Sequence, residues 1–204
     1  MGSEIRLMFA VLLMGTFVVL SCDTRSTVTQ DAPPLPLPAA PSPPAQKQQQ
    51  RLFLSPARLE RMLHDRINRE RRKQGLQTMR WDDALGRIAA MHSKDMAKKR
   101  YFSHTSPEGR RHADRYLENG YACGITVDGV LRTGAESIFH LSLVAGVDGA
   151  RDEPPGAGII ESVMRAWMDN RPDRKNILSP DWLREGIGMS VGSDGMLYVT
   201  LNFC

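Results

Sequence analysis

The sequence predicts an α+β fold in which helices pack on an antiparallel sheet that closes the chain. Three observations carry this. Residues 55–99 hold two stretches whose apolar residues recur with helical period. A third such stretch lies around residues 159–170. Residues 186–204 then alternate apolar and polar on both sides of Ser193-Asp194-Gly195, the pattern of a hairpin with one buried face.

The N-terminal fifty residues stand outside that fold. Leu7 to Leu20, "LMFAVLLMGTFVVL", is an uncharged apolar run, too short to span a membrane comfortably and of the length of a signal-peptide core. It ends in "VLSC", which resembles a bacterial lipobox, so residues 1–21 read as a lipoprotein-type signal peptide and Cys22 as the cysteine that receives lipid (palmitate or a similar acyl chain). The alternative is a plain secretory signal cleaved near Ser21, which yields a secreted protein. Both place the mature chain outside the cytoplasm. Residues 22–50 continue with seven prolines between positions 31 and 45 and then a Gln tract. Such a segment forms no core and reads as a disordered, partly polyproline II tether; its Pro-rich part would reach ~45 Å at ~3.1 Å per residue.

Residues 51–204 are enough for one domain with a proper core. Ser55 reads as an N-cap, Pro56 as the first helical residue and Gly75 as the stop of a first helix. Leu59, Met62, Leu63 and Ile67 form its apolar face. Arg58, Arg61, Arg66, Arg69, Arg71 and Arg72 read mostly as a solvated face, with weak attraction to anionic lipid heads or wall polymers as a second use. A second helix starts at Asp82 or Asp83, and its inner face holds Leu85, Ile88, Ala89, His92 and Met96, so His92 reads as a packed core histidine. "RRHADRYLENG" predicts a short helix closed by Gly120, and "GITVDGVLRTG" a small hairpin around Asp128-Gly129. "GAESIFHLSLV" is a short apolar element before a long Gly/Pro/Asp loop. Ile160, Val163, Met164 and Trp167 face inward on the next helix, and Ile187, Met189 and Val191 answer Leu197, Val199, Leu201 and Phe203 in the closing hairpin.

Composition and motifs exclude several classes of function. The net charge of +4 is spread, no aromatic residues interleave the arginines, and an exported protein rarely meets nucleic acid, so nucleic acid is excluded as a partner. No Gly-rich phosphate loop, H-E-x-x-H, C-x-x-C or G-x-S-x-G motif is present. Three cysteines leave Cys123 and Cys204 as one disulfide or two thiols if Cys22 carries lipid.

Four motifs, in order, resemble those of the CAP superfamily (cysteine-rich secretory proteins, antigen 5 and pathogenesis-related 1 proteins) in its bacterial, SCP-like form. They are "INRERRKQGLQTMRWDDALGRIAAMHSKDMAKKRYFSHTSPEG", "GAESI" in place of G-E-N-I, "AWMDNRPDRKNIL", and "GIGMSVGSDGMLYVTLNF". The resemblance implies a CAP domain over residues 51–204 with an α-β-α sandwich about a central antiparallel sheet. It also implies a cleft in which histidines and acidic residues gather and in which some members bind a divalent metal. His104 matches the first family histidine and Glu136 the glutamate of G-E-N-I. Asp173 takes the place of the second histidine, and Asn170 stands where other members often have a second glutamate. His104, Glu136 and Asp173 would then make at most a weak divalent-metal site, because one imidazole with two carboxylates is a poor zinc set. His140, four residues after Glu136, would share its face if that segment were helical and is a candidate replacement ligand.

These readings imply an extracytoplasmic, lipid-anchored binding or interaction module of a bacterial cell envelope, more a binder than an enzyme. Its partners would be the membrane, through the anchor, and a lipid, a cell-wall polymer or a protein as ligand. The alternative is a protease-like hydrolase in which His104 and Glu136 act as the catalytic pair. A third reading is an envelope protein with a vestigial cleft.

Overall fold

Each face of the sheet is set by the alternation of its strands, and the helices follow from what each face offers. The structure, a computed structural model, describes residues 55–127, 129–143 and 155–204. The signal peptide, Cys22, the tether and the greater part of the Gly/Pro/Asp loop lie outside the described residues. In chain order the elements are α1 (Pro56–Lys73), β1 (Arg80–Trp81), α2 (Asp83–Lys99), α3 (His112–Glu118), β2 (Ile125–Val127), β3 (Val130–Arg132), β4 (Ala135–Ser142), α4 (Ala157–Asp169), α5 (Arg171–Ile177), β5 (Arg184–Val191) and β6 (Met196–Phe203).

Four strands form the main sheet in the order β1-β5-β6-β4, and β2 and β3 make a separate hairpin. The β5–β6 register pairs Ile187 with Leu201, Met189 with Val199 and Val191 with Leu197, and β4 lies antiparallel on the other side of β6. The sheet is antiparallel except at its edge, where the two residues of β1 pair in parallel with β5. One face carries Ile187, Met189, Leu197, Val199, Leu201 and Phe203 into the core beneath α1 and α4, with Leu59, Leu63, Ile67, Val163, Met164 and Trp167. The opposite face receives α2. A Cβ on Gly186 or Gly188 would overlap the backbone of Gly86 or Ala90, so only glycine lets that helix approach β5 so closely. The result is the α-β-α sandwich.

One local expectation is corrected, and two others are sharpened. The arginines of α1 are not uniformly solvated. Arg71 is fully buried and donates to the carbonyls of Gln77, Ile177, Ser179 and Trp182, and Arg66 bonds Glu161 and Glu70. A guanidinium carries five donors, so one buried arginine satisfies carbonyls from several loops that no helix or strand ladder reaches. The short apolar element "AESIFHLS" is a strand, so the helical condition under which His140 would share the face of Glu136 is not met. The helix expected around residues 159–170 is present as α4, and a second helix, α5, follows it directly, because Asn170 ends α4 and its side chain accepts from Asp173 N to open α5.

As an edge strand, β4 would leave carbonyls unpaired. Asn176 Nδ2 donates to Glu136 O (3.2 Å) and Trp167 Nε1 to Ile138 O (3.0 Å), so α4 and α5 cap the edge that carries the candidate glutamate.

Candidate functional site

Glu136 is the centre of the site. It pairs with Asn202 of β6, and its side chain is only 1% exposed. A carboxylate so buried needs partners for its charge. On one oxygen, Oε1, His104 Nδ1 stands at 2.9 Å, and buried His92 has Nε2 at 3.8 Å. On the other, Oε2, Arg115 Nη2 donates at 2.5 Å. Burial pushes the Glu136 pKa up, but the hydrogen bond from His104 and the charge of Arg115 outweigh it, and the carboxyl titrates below its ordinary range.

The loop that presents His104 is built around the same arginine. Arg115 Nη1 donates to Arg110 O (2.9 Å), and the guanidinium also reaches His104 O (3.3 Å). Ser106 N donates to Arg110 O, and Gly109 closes the turn at φ 85°. His92 Nε2 lies 3.1 Å from Ser103 O, and since a carbonyl only accepts, Nε2 carries the proton. The His104 side chain is 55% exposed. Its Nδ1 faces a carboxylate and so carries the proton when neutral, which leaves the lone pair on Nε2. The hydrogen bond to Glu136 outweighs partial burial and raises the His104 pKa, whereas burial lowers those of His92 and His112.

An open cleft of about 380 Å³ lies over this assembly, lined by His104, Thr105, Arg111, His112, Glu136 and Asn176 among others. Asp173 is half-buried in the first turn of α5, within electrostatic reach of His104, and burial raises its pKa. Asn170 is exposed and serves as the cap of α5. His140 does not join Glu136. Four residues along a strand are about 13 Å at 3.3 Å each, and the His140 ring stacks on Phe102 with centroids 4.1 Å apart. Cys123 and Cys204 are joined as a disulfide, which ties the loop after α3 to the end of β6.

The donor set does not fit a resident divalent metal. Glu136 is already engaged by a guanidinium, a fixed cation where a metal would have to sit. Among the described residues no three His, Cys, Asp or Glu side chains gather as a metal site. Sequence reasoning missed Arg115, His112 and the nearness of His92 to Glu136. Arg115 lies in a seven-residue helix with no chemical motif around it, and the apolar stripe that assigned His92 to the core says nothing of what lies beyond its ring nitrogen.

With the fold and site in view, the chain's family is plain. Residues 64–203 match CAP, the cysteine-rich secretory protein family, and the chain belongs to it. It is 30% identical over 129 residues to the protein YkwD of Bacillus subtilis, covering 63% of this chain and 41% of that one. It is 31% identical over 144 residues to the membrane protein YlbC of the same organism, covering 71% and 34%. The chain thus matches about two fifths and one third of those relatives' lengths. In structure it is similar to an extracellular protein containing a SCP domain from Bacillus anthracis, with TM-score 0.53, 22% identity and coverage of 81% and 44%. It is likewise similar to an outer surface protein of Borrelia burgdorferi, with TM-score 0.53, 16% identity and coverage of 71% and 90%. At these identities the structural likenesses bear on the fold alone.

Proposed function

We propose that this protein is an extracytoplasmic, lipid-anchored binding module of a bacterial cell envelope, held by Cys22 and the tether and taking a polar ligand in the cleft over His104. The observation that carries binding over turnover is the commitment of Glu136, with one oxygen held by His104 and the other by Arg115. A carboxylate so engaged organises a surface. No serine, threonine or cysteine side chain is hydrogen-bonded to His104 among the described residues, so the pair lacks a nucleophile to activate. A cleft of about 380 Å³ falls in the range of ligand sites, roughly 300–1,000 Å³.

Export is supported by the apolar run before Cys22 and by the Cys123–Cys204 disulfide, a bond that persists in oxidising compartments. The relatives include a membrane protein, an extracellular protein and an outer surface protein. Among the described residues no helix is long and apolar enough to cross a membrane; the attachment proposed is the lipid on Cys22. Detergent phase separation tests this. The full chain is expected in the detergent phase and Cys22→Ala in the aqueous phase, and a wild-type chain found in the aqueous phase overturns the anchor.

A second reading, a hydrolase, draws on the open Nε2 of His104, the position of a general base. Co-sedimentation with isolated envelope fragments, beside assays on peptide and ester panels, separates the two. Binding that falls about tenfold in His104→Ala without any turnover supports the module. Turnover in the wild type that vanishes in His104→Ala establishes the enzyme.

A further inference from the structure

Phe102 differs from the other residues near the cleft. It is 43% exposed, and neither its loop nor β4 exposes another large apolar side chain. An exposed phenyl ring is common and by itself says nothing. This one is held in place. Its ring lies flat on that of His140, with centroids 4.1 Å apart and 7° between the planes. The His140 ring in turn tilts against that of Tyr198, its buried partner on β6, at 6.0 Å. With one face covered, the exposure of Phe102 falls on the other face and the rim. The fold thus fixes a flat aromatic surface toward solvent.

That surface and the cleft share one side of β4. Phe102 covers His140, His104 bonds Glu136, and residues four apart on a strand point to the same face. The two contact points lie about 13 Å apart along the strand. Each offers something different. At His104, Nδ1 is taken by Glu136 and the ring is half exposed, so Nε2 is the free nitrogen. It accepts when the ring is neutral and donates when it is charged; a hydroxyl group, donor and acceptor at once, answers both states. Thr105, Arg111, His112 and Asn176 add further hydrogen-bonding residues to the wall. At Phe102 the ring face carries the negative part of its quadrupole and attracts weakly positive C–H groups. A fatty chain needs a contiguous apolar patch, and a single exposed phenyl ring is not one. A unit with hydroxyls on its rim and C–H groups on its face is a pyranose ring, and one such ring does not reach both points.

We propose that the ligand of this cleft is a glycan strand, with one pyranose ring stacked on Phe102 and a hydroxyl of another hydrogen-bonded to His104 Nε2. The inference rests on the binding-module reading and names its ligand class. His140 is then a positioning residue, which holds the Phe102 ring flat.

The probes are linear oligomers of N-acetylglucosamine and of glucose, from one to four units, titrated separately into the ¹³C-labelled full chain in a sugar-free detergent. The ring resonances of Phe102 and His104 are expected to shift together and saturably with at least one tetramer, and the series that does so identifies the sugar. Affinity is expected to rise about tenfold from one unit to four, because only the longer chains engage both points. Phe102→Ala changes an exposed position, so thermal melting is expected to stay unchanged while tetramer binding weakens about tenfold, and Phe102→Trp is expected to preserve it. His140→Ala is expected to weaken binding about threefold and His140→Tyr, which can still stack, to restore it. Silence of both series overturns the proposal, as does full affinity in Phe102→Ala or a tetramer that moves His104 but not Phe102. An alanine tetrapeptide that shifts both rings as strongly as the sugars overturns it in favour of a peptide. Envelope fragments that bind while both sugar series stay silent overturn the glycan and leave the binding module standing; fragments and sugars that both fail to bind overturn the two together.

Discussion

Arg115 Nη2 and Glu136 Oε2 form an ion pair 2.5 Å long with both side chains withdrawn from solvent, 9% and 1% exposed. The candidate site therefore rests on a buried pair whose halves come from α3 and β4. Removing the cation alone leaves a buried carboxylate with only its histidine partners. Arg115→Met is expected to lower stability by about 3–5 kcal/mol in urea unfolding. A double variant with Glu136→Leu should lose less than the sum of the single changes. A loss below about 1 kcal/mol in Arg115→Met would contradict the pairing.

His104 and its neighbours should titrate in opposite directions. The hydrogen bond to Glu136 raises the His104 pKa above 6.5, whereas burial takes His92 and His112 below it. Asp173 adds to the rise at His104 and Arg115 opposes it. Because the folded-state pKa is the higher, the stabilisation by His104 is complete below about pH 6.5 and fades as pH rises through the folded value. In NMR titrations Glu136→Gln should bring His104 back toward its ordinary value. The stability gap between wild type and His104→Gln should be wider at pH 6 than at pH 9.

Zinc should bind weakly at most. Isothermal titration of the metal-free protein is expected to show no stoichiometric site, since the Arg115 guanidinium occupies the carboxylate a metal would need. Near-stoichiometric zinc, lost in His104→Ala, would refute this.

The disulfide joins Cys123 and Cys204, 81 positions apart in the sequence. Loop-closure entropy for a ring of that size predicts that Cys123→Ser loses about 2–5 kcal/mol. Thermal melting in the presence and absence of reductant measures it, and the variant itself should be insensitive to reductant.

Gly188→Ala tests the sandwich. The added methyl would overlap the backbone of Ala90, where no side-chain rotation relieves it. A loss of about 3 kcal/mol or more, at or beyond the upper end for overpacking, is expected. Gly109→Ala, at a turn with open space around it, should be milder and limited to the strain of positive φ.

The helices and the closing hairpin were legible because period and alternation are local properties, written within single elements. Leu59, Leu63 and Ile67 are buried on α1, and the Ile187–Leu201 and Met189–Val199 pairs stand in register. The two-residue parallel strand β1 was not legible, since nothing in "RW" marks a partner more than a hundred residues away. Arg71 read as one more solvated arginine, because the carbonyls it binds come from loops that meet only on folding. At the site, the family motifs pointed to His104 and Glu136, which meet at 2.9 Å. They also pointed to Asn170, which is spent on capping α5, and the conditional case for His140 ended when its segment formed a strand.

A helical front half, a hairpin at the close and the family are all written in short stretches of residues, because apolar period, turn chemistry and motif spacing act within a few residues of one another. The use of Glu136 is not written that way. Its partners lie 21 residues before it on α3, 32 before it on a turn, and 44 before it on the buried face of α2. Only the packing of those elements against β4 decides that a guanidinium meets the charge. The reason is electrostatic: a carboxylate removed from water takes whichever cation the fold delivers, and here that cation is Arg115.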